Sequence, residues 1–195
     1  MPENSIKTGS VYLLPGRGDG LNCTLGRIIN SNGFMVQGRA ITPEYQALGF
    51  SEQLGLVKAD FQAGFWGKDK MLIGHSYGAY LLLHTLAEMP PFPGSILLIS
   101  PVLGPGVAAN RHYGSLPPRA GRLMELARHG RFPGPAYMEI HIGANDNGCD
   151  PKLAQEFASH IAAALVHVVP GVSHSLPESY LTAVMRNFLK TGRNL

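Results

Sequence analysis

A serine hydroxyl attacks a carbonyl at neutral pH only when a nearby base takes its proton and a third group holds that base in the right tautomer. The segment Gly74-His75-Ser76-Tyr77-Gly78 has the Gly-x-Ser-x-Gly pattern that such a serine uses. It lies between the apolar run Lys70-Met71-Leu72-Ile73 and the stretch Tyr77 to Glu88, which reads as a helix ended by Pro90-Pro91. In that setting Gly74 and Gly78 let strand and helix close around a strained serine and raise its hydroxyl above the sheet. A partner base has to come from the eight histidines. His75 is inside the motif, His84 and His160 fall on helices, His141 and His167 in strands, and His112 and His129 in an irregular stretch. His174 sits in the polar turn Pro170-Gly171-Val172-Ser173-His174-Ser175, between an apolar strand and the last helix. Two carboxylates, Asp146 and Asp150, follow the run Tyr137 to Ile142. Asp150 precedes Pro151 and can cap the next helix instead.

The elements that would position these groups alternate. Val11 to Leu14 reads as a strand that stops at Pro15-Gly16-Arg17-Gly18-Asp19-Gly20. A helix over Gly20 to Asn32, a strand over Phe34 to Gln37 and a helical region from Pro43 to Phe65 follow. Thr42 serves the last as N-cap, and Gly49, Gly55 and Gly64 allow it to break in two. Ser95 to Ser100 and Tyr137 to Ile142 read as strands, Pro151 to Ala163 as a helix, Val166 to Val169 as a strand and Pro177 to Leu189 as the closing helix. Apolar runs of this kind suit strands buried on both faces. The expectation is one α/β domain over residues 1–195, doubly wound around a mostly parallel sheet. Residues 104–135 form a Gly-, Pro-, Arg- and His-rich insertion, with a short helix over Arg119 to Arg128, that reads as a lid.

The serine motif in this setting resembles the α/β-hydrolase superfamily, from Val11 to about Leu189, and within it the small bacterial carboxylesterases, a likeness that implies a six-stranded sheet in the order 2-1-3-4-5-6. The resemblance implies Ser76 as nucleophile, His174 as base and Asp146, at the strand-Gly-x-x-Asp position after Gly143, as the acid that holds it. The amide of Tyr77, next after the serine, is the first oxyanion donor. The turn Pro15-Gly16-Arg17-Gly18-Asp19 looks like the His-Gly-x-Gly-Asp turn of those esterases, with Pro15 in place of histidine, and this makes the Arg17 amide the second donor and Gly16 a structural glycine. The implied activity is hydrolysis of a small carboxylic ester or thioester through an acyl-enzyme on Ser76, with no cofactor and no metal. A catalytically silent scaffold used for binding is the alternative reading.

Composition narrows the partners. Of 195 residues, 45% are hydrophobic and 15% charged, enough apolar material for a core and too little charge for a disordered chain. The net charge of +3 is scattered rather than gathered into a basic run, which argues against nucleic acid. Arg17, Arg111, His112, Arg119 and Arg122 would suit an anionic acyl substrate if they faced the site, and otherwise form a solvated face. Cys23 and Cys149 fit no disulfide or zinc pattern. No stretch of about 18 apolar residues and no leader-like N-terminus occurs, so the expectation is a cytoplasmic enzyme away from membranes. A dinucleotide site at Gly16, Gly18 and Gly20 fails on spacing, since Leu21 stands where the third glycine belongs.

Overall fold

The computed structural model describes residues 9–104 and 117–191. Six strands, β1 (Ser10–Leu14), β2 (Met35–Gly38), β3 (Met71–His75), β4 (Ser95–Ile99), β5 (Tyr137–Gly143) and β6 (Ala164–Val169), form one sheet in the order β2-β1-β3-β4-β5-β6. Every neighbouring pair is parallel. The direction of the chain order reverses at β1 and β3, so the loops leaving the carboxyl ends of these strands diverge and open a crevice between them.

The helices are α1 (Thr24–Ser31), α2 (Pro43–Ala47), α3 (Phe50–Asp60), α4 (Tyr77–Leu86), α5 (Arg122–Arg128), α6 (Pro151–Ser159) and α7 (Glu178–Thr191). They divide over the two faces by the two-residue alternation of the strands. Val11, Leu13, Met71, Ile73, Leu97 and Ile99 pack with α1 and α7, while Tyr12, Leu14, Leu72, Ile96, Leu98 and Ile140 pack with α3, α4, α5 and α6. The central strands are buried on both faces and therefore read as unbroken apolar runs.

The long helical region from Pro43 is divided. Thr42 caps α2, accepting from the Tyr45 N–H at 3.3 Å, and Leu48 and Gly49 then turn extended. Phe61–Phe65 continues α3 as one π-helical turn. The helix expected from Gly20 begins only at Thr24, because residues 21 to 23 are spent on turns. Within the stretch read as an insertion, α5 buries Leu123, Met124 and Ala127 in the core. Arg111 and His112 lie outside the described residues. No helix among the described residues is long and apolar enough to cross a membrane.

Candidate active site

Ser76 stands at the tip of the β3 to α4 turn with φ 52° and ψ −116°, a strained region for a residue with a side chain. The turn is held by close approaches that exclude a Cβ on either side. A Cβ at Gly78 would lie 2.1 Å from the Leu14 carbonyl oxygen, and one at Gly74 would lie 2.6 Å from the Ala79 Cα. These contacts press the start of α4 against β1 and leave Ser76 at the head of the helix.

The other two groups come from the loops after β5 and β6, beyond β4 in the sheet. β5 ends at Gly143 and its loop carries Asp146; β6 ends at Val169 and its loop carries His174. The structure brings all three together. Ser76 Oγ lies 3.1 Å from His174 Nε2, and His174 Nδ1 lies 3.0 and 3.1 Å from the two Asp146 carboxylate oxygens. The Asp146 side chain is fully buried, and its Oδ1 also accepts from the N–H groups of Gly148 and Cys149, both at 2.9 Å. Asp150 is elsewhere, capping α6 by accepting from the Lys152 N–H at 2.9 Å.

Several groups around this line carry no signal in the sequence. Ser100, with φ 43°, donates from Oγ to the His174 carbonyl at 2.8 Å. A Cβ on Gly143 would lie 2.2 Å from the Ser173 carbonyl, so the loop that carries His174 packs directly on the end of β5. His75 stacks on His174, with ring centroids 5.9 Å apart. Burial pushes the His75 pKa down to about 4, with His174 adding to the shift and Asp146 opposing it. A neutral ring therefore lies against His174. Tyr77 donates to the buried Gln53 side chain at 3.0 Å, and Gln53 donates to the Leu48 carbonyl at 2.9 Å, fixing the residue after the serine from α3.

On the opposite side of Ser76 the first-strand turn is closed by Gly18 N–H to Ile41 O at 2.9 Å and Asp19 N–H to Gly16 O at 3.1 Å. A Cβ at Gly16 would lie 3.0 Å from His75 Nδ1, so the turn lies against the serine motif. The exposed Arg17 guanidinium covers the Tyr77 ring at 4.3 Å. Arg119 is held by Glu88 at 2.6 Å and Ser51 at 3.2 Å. A cavity of about 520 Å³ adjoins the motif, bounded by Asp19, Thr24, His75, Ile99, Leu176 and Leu181.

A parallel sheet in this order, with a serine on the β3 to α4 turn facing a histidine and a buried carboxylate, is the α/β-hydrolase fold. Solved structures carry the same fold. The chain is similar to Est1E from Butyrivibrio proteoclasticus, with TM-score 0.71 and 13% identity over 98% of this chain and 91% of that one. It is similar to the monoacylglycerol lipase of Paleococcus ferrophilus, with TM-score 0.68 and 15% identity over 95% and 96%, and to the esterase RhEst1 from Rhodococcus, with TM-score 0.66 and 15% identity over 96% and 92%. No protein-family model matches the chain, and no curated protein matches it in sequence.

Proposed function

We propose that the protein is a serine hydrolase that cleaves a small carboxylic ester or thioester through an acyl-enzyme on Ser76. The observation that carries the reading is the unbroken line from Ser76 Oγ through the His174 ring to the buried Asp146, with each link between 3.0 and 3.1 Å. His174 Nε2 takes the proton as Ser76 Oγ bonds to the carbonyl carbon, and Nδ1–H stays hydrogen-bonded to Asp146, which stabilises the imidazolium. The negative charge that grows on the carbonyl oxygen is met by the Tyr77 and Arg17 amides. His174 then returns the proton to the leaving alcohol or thiol. In the second half it deprotonates a water that attacks the acyl carbon, and the bond to Ser76 breaks with the proton going back to Oγ.

The esterase and lipase names of the similar structures support an ester as substrate. The adjoining cavity is of a size for one small substituent of such an ester. Arg17, exposed beside the serine on the Tyr77 ring, favours substrates with a carboxylate near the scissile bond. No step calls for a cofactor or a metal.

Incubation with a fluorophosphonate, followed by intact mass and peptide mapping, tests the reading. One adduct on Ser76, absent from Ser76→Ala, is the expected result. A folded protein that stays unlabelled and inert toward short ester substrates would replace this reading with a silent scaffold.

A further inference from the structure

Below the site, on the face of the sheet that α7 covers, β5 and β6 present a polar group where the central strands present apolar residues. Tyr137, Glu139 and His141 alternate onto that face of β5. His141 is paired directly across to His167 in β6, and Glu139 to Leu165. The Glu139 and His141 side chains are only 14% and 5% exposed, whereas His167 is exposed. One oxygen of Glu139, Oε1, accepts from the Tyr137 hydroxyl; the other, Oε2, faces His141 Nε2 at 3.1 Å. The far nitrogen of His141, Nδ1, is 2.8 Å from the Tyr180 hydroxyl of α7. The rings of His141 and His167 are stacked, with centroids 4.5 Å apart. One ligand atom from each of Glu139, His141 and His167 falls within a 4.8 Å span.

Packing does not require this set, since apolar side chains on β5 would cover the sheet without the desolvation cost of burying a carboxylate and an imidazole together. Metal chemistry does account for it. Two histidines and a carboxylate make a common zinc donor set, with a fourth position left for water. In a tetrahedral zinc site the donors lie about 3.3 Å apart, and Glu139 Oε2 and His141 Nε2 are already near that spacing. The outer partners are those a ligand needs. With its proton on Nδ1, donated to the Tyr180 oxygen, His141 presents the Nε2 lone pair, and the Tyr137 hydroxyl occupies Oε1 and leaves Oε2 to the ion. Stacked rings point their lone pairs side by side, so the exposed His167 must swing out of the stack to share the ion, and its exposure allows this.

A second group, Asp146, Cys149 and His174, has comparable spacing. Its atoms are spoken for: Asp146 by His174 and two amides, and the buried Cys149 thiol by the Ser100 carbonyl at 2.9 Å.

We propose that Glu139, His141 and His167 form a binding site for a divalent transition-metal ion, zinc foremost, that clips β5 to β6. These are the two strands whose loops deliver Asp146 and His174, and Tyr180 joins the clip to the helix that follows the base loop. The ion is structural and stands outside the acyl-transfer step.

Calorimetric titration of chelator-stripped protein with zinc chloride, together with the visible spectrum of the cobalt(II) form, tests this. The expected result is one ion per chain with a Kd on the order of micromolar or tighter, a tetrahedral cobalt spectrum and a higher melting temperature with zinc. His167→Ala, at an exposed position, should fold, weaken binding about tenfold or more and lose the thermal shift while keeping ester turnover; Glu139→Gln should weaken binding in the same direction. His174→Ala should bind zinc as the parent does. Absence of binding at zinc on the order of 0.1 mM would overturn the proposal. So would binding that survives His167→Ala and is lost in His174→Ala, which would place the ion in the triad.

Discussion

Ser100 Oγ donates to the backbone carbonyl of His174 at 2.8 Å, joining the end of β4 to the loop that carries the base across 74 positions of chain. The bond does not touch the reacting atoms; it fixes the height of the imidazole over Ser76. Ser100→Ala should therefore lower kcat by roughly tenfold with KM little changed, since a loosened base costs rate and leaves binding intact. Ser100→Thr, which keeps the hydroxyl, should recover part of the loss in steady-state ester hydrolysis. Equal activity of Ser100→Ala and the parent would remove Ser100 from a positioning role.

The two aspartates of the β5 to α6 loop separate cleanly in their contacts. Asp146 meets His174, and Asp150 caps α6. Asp146→Asn should cut kcat by about 10³ to 10⁴, because an amide cannot hold the Nδ1–H tautomer. Asp150→Asn should leave kcat within about twofold, since asparagine caps a helix as well as aspartate. Parallel kinetics of the two variants decide between them.

The approach of the base loop to β5 depends on Gly143. A Cβ there would sit 2.2 Å from the Ser173 carbonyl and 2.3 Å from that of Val172, both backbone atoms. Gly143→Ala should destabilise the protein by about 1 to 3 kcal/mol and lower kcat together, as the overpacked loop moves away. Urea unfolding and ester kinetics on the same sample read the two effects.

Acid should unfold the protein through two histidines. Burial lowers the pKa of His75 to about 4, helped by His174, and that of His84 to about 3, helped by Arg119 and Arg122. Both lie below the ordinary 6.5, so the unfolded chain takes up protons that the folded chain refuses. Their contribution is whole above pH 6.5 and is lost as pH falls, by about 1.4 kcal/mol per pH unit for each ring between roughly pH 6 and 4. Neither His84 ring nitrogen has a hydrogen-bond partner among the described residues. His84→Leu should thus keep or raise stability at pH 7 and flatten the fall toward pH 5. Urea midpoints against pH measure it, and an unchanged slope would count against His84.

Arg17 offers a handle on substrate choice. Its guanidinium lies over Tyr77, directly after the serine. Arg17→Ala keeps the backbone amide and should raise KM several-fold for esters bearing a carboxylate while leaving neutral esters unchanged. A uniform change for both would show that the side chain supports the turn and does not read the substrate.

The alternation of strand and helix was legible in the sequence because the strands are covered on both faces, so that Leu72-Ile73 and Ile96-Leu97-Leu98-Ile99 run apolar without a break. The serine was legible because Gly74 and Gly78 answer a steric demand local to one turn. His174 and Asp146 could be placed by the loops they occupy, but their distances could not. Those follow from β4, β5 and β6 lying side by side in register, a relation between segments far apart in the chain. For the same reason Ser100, His75 and Gln53 named no partner: each acts through a contact with a distant backbone or ring, and its residue type alone does not tell which. Local chemistry and hydrophobic period determined which elements form and which serine stands at a turn; only the packed sheet decided which distant groups meet it, because proximity across strands is set by pairing and not by spacing along the chain.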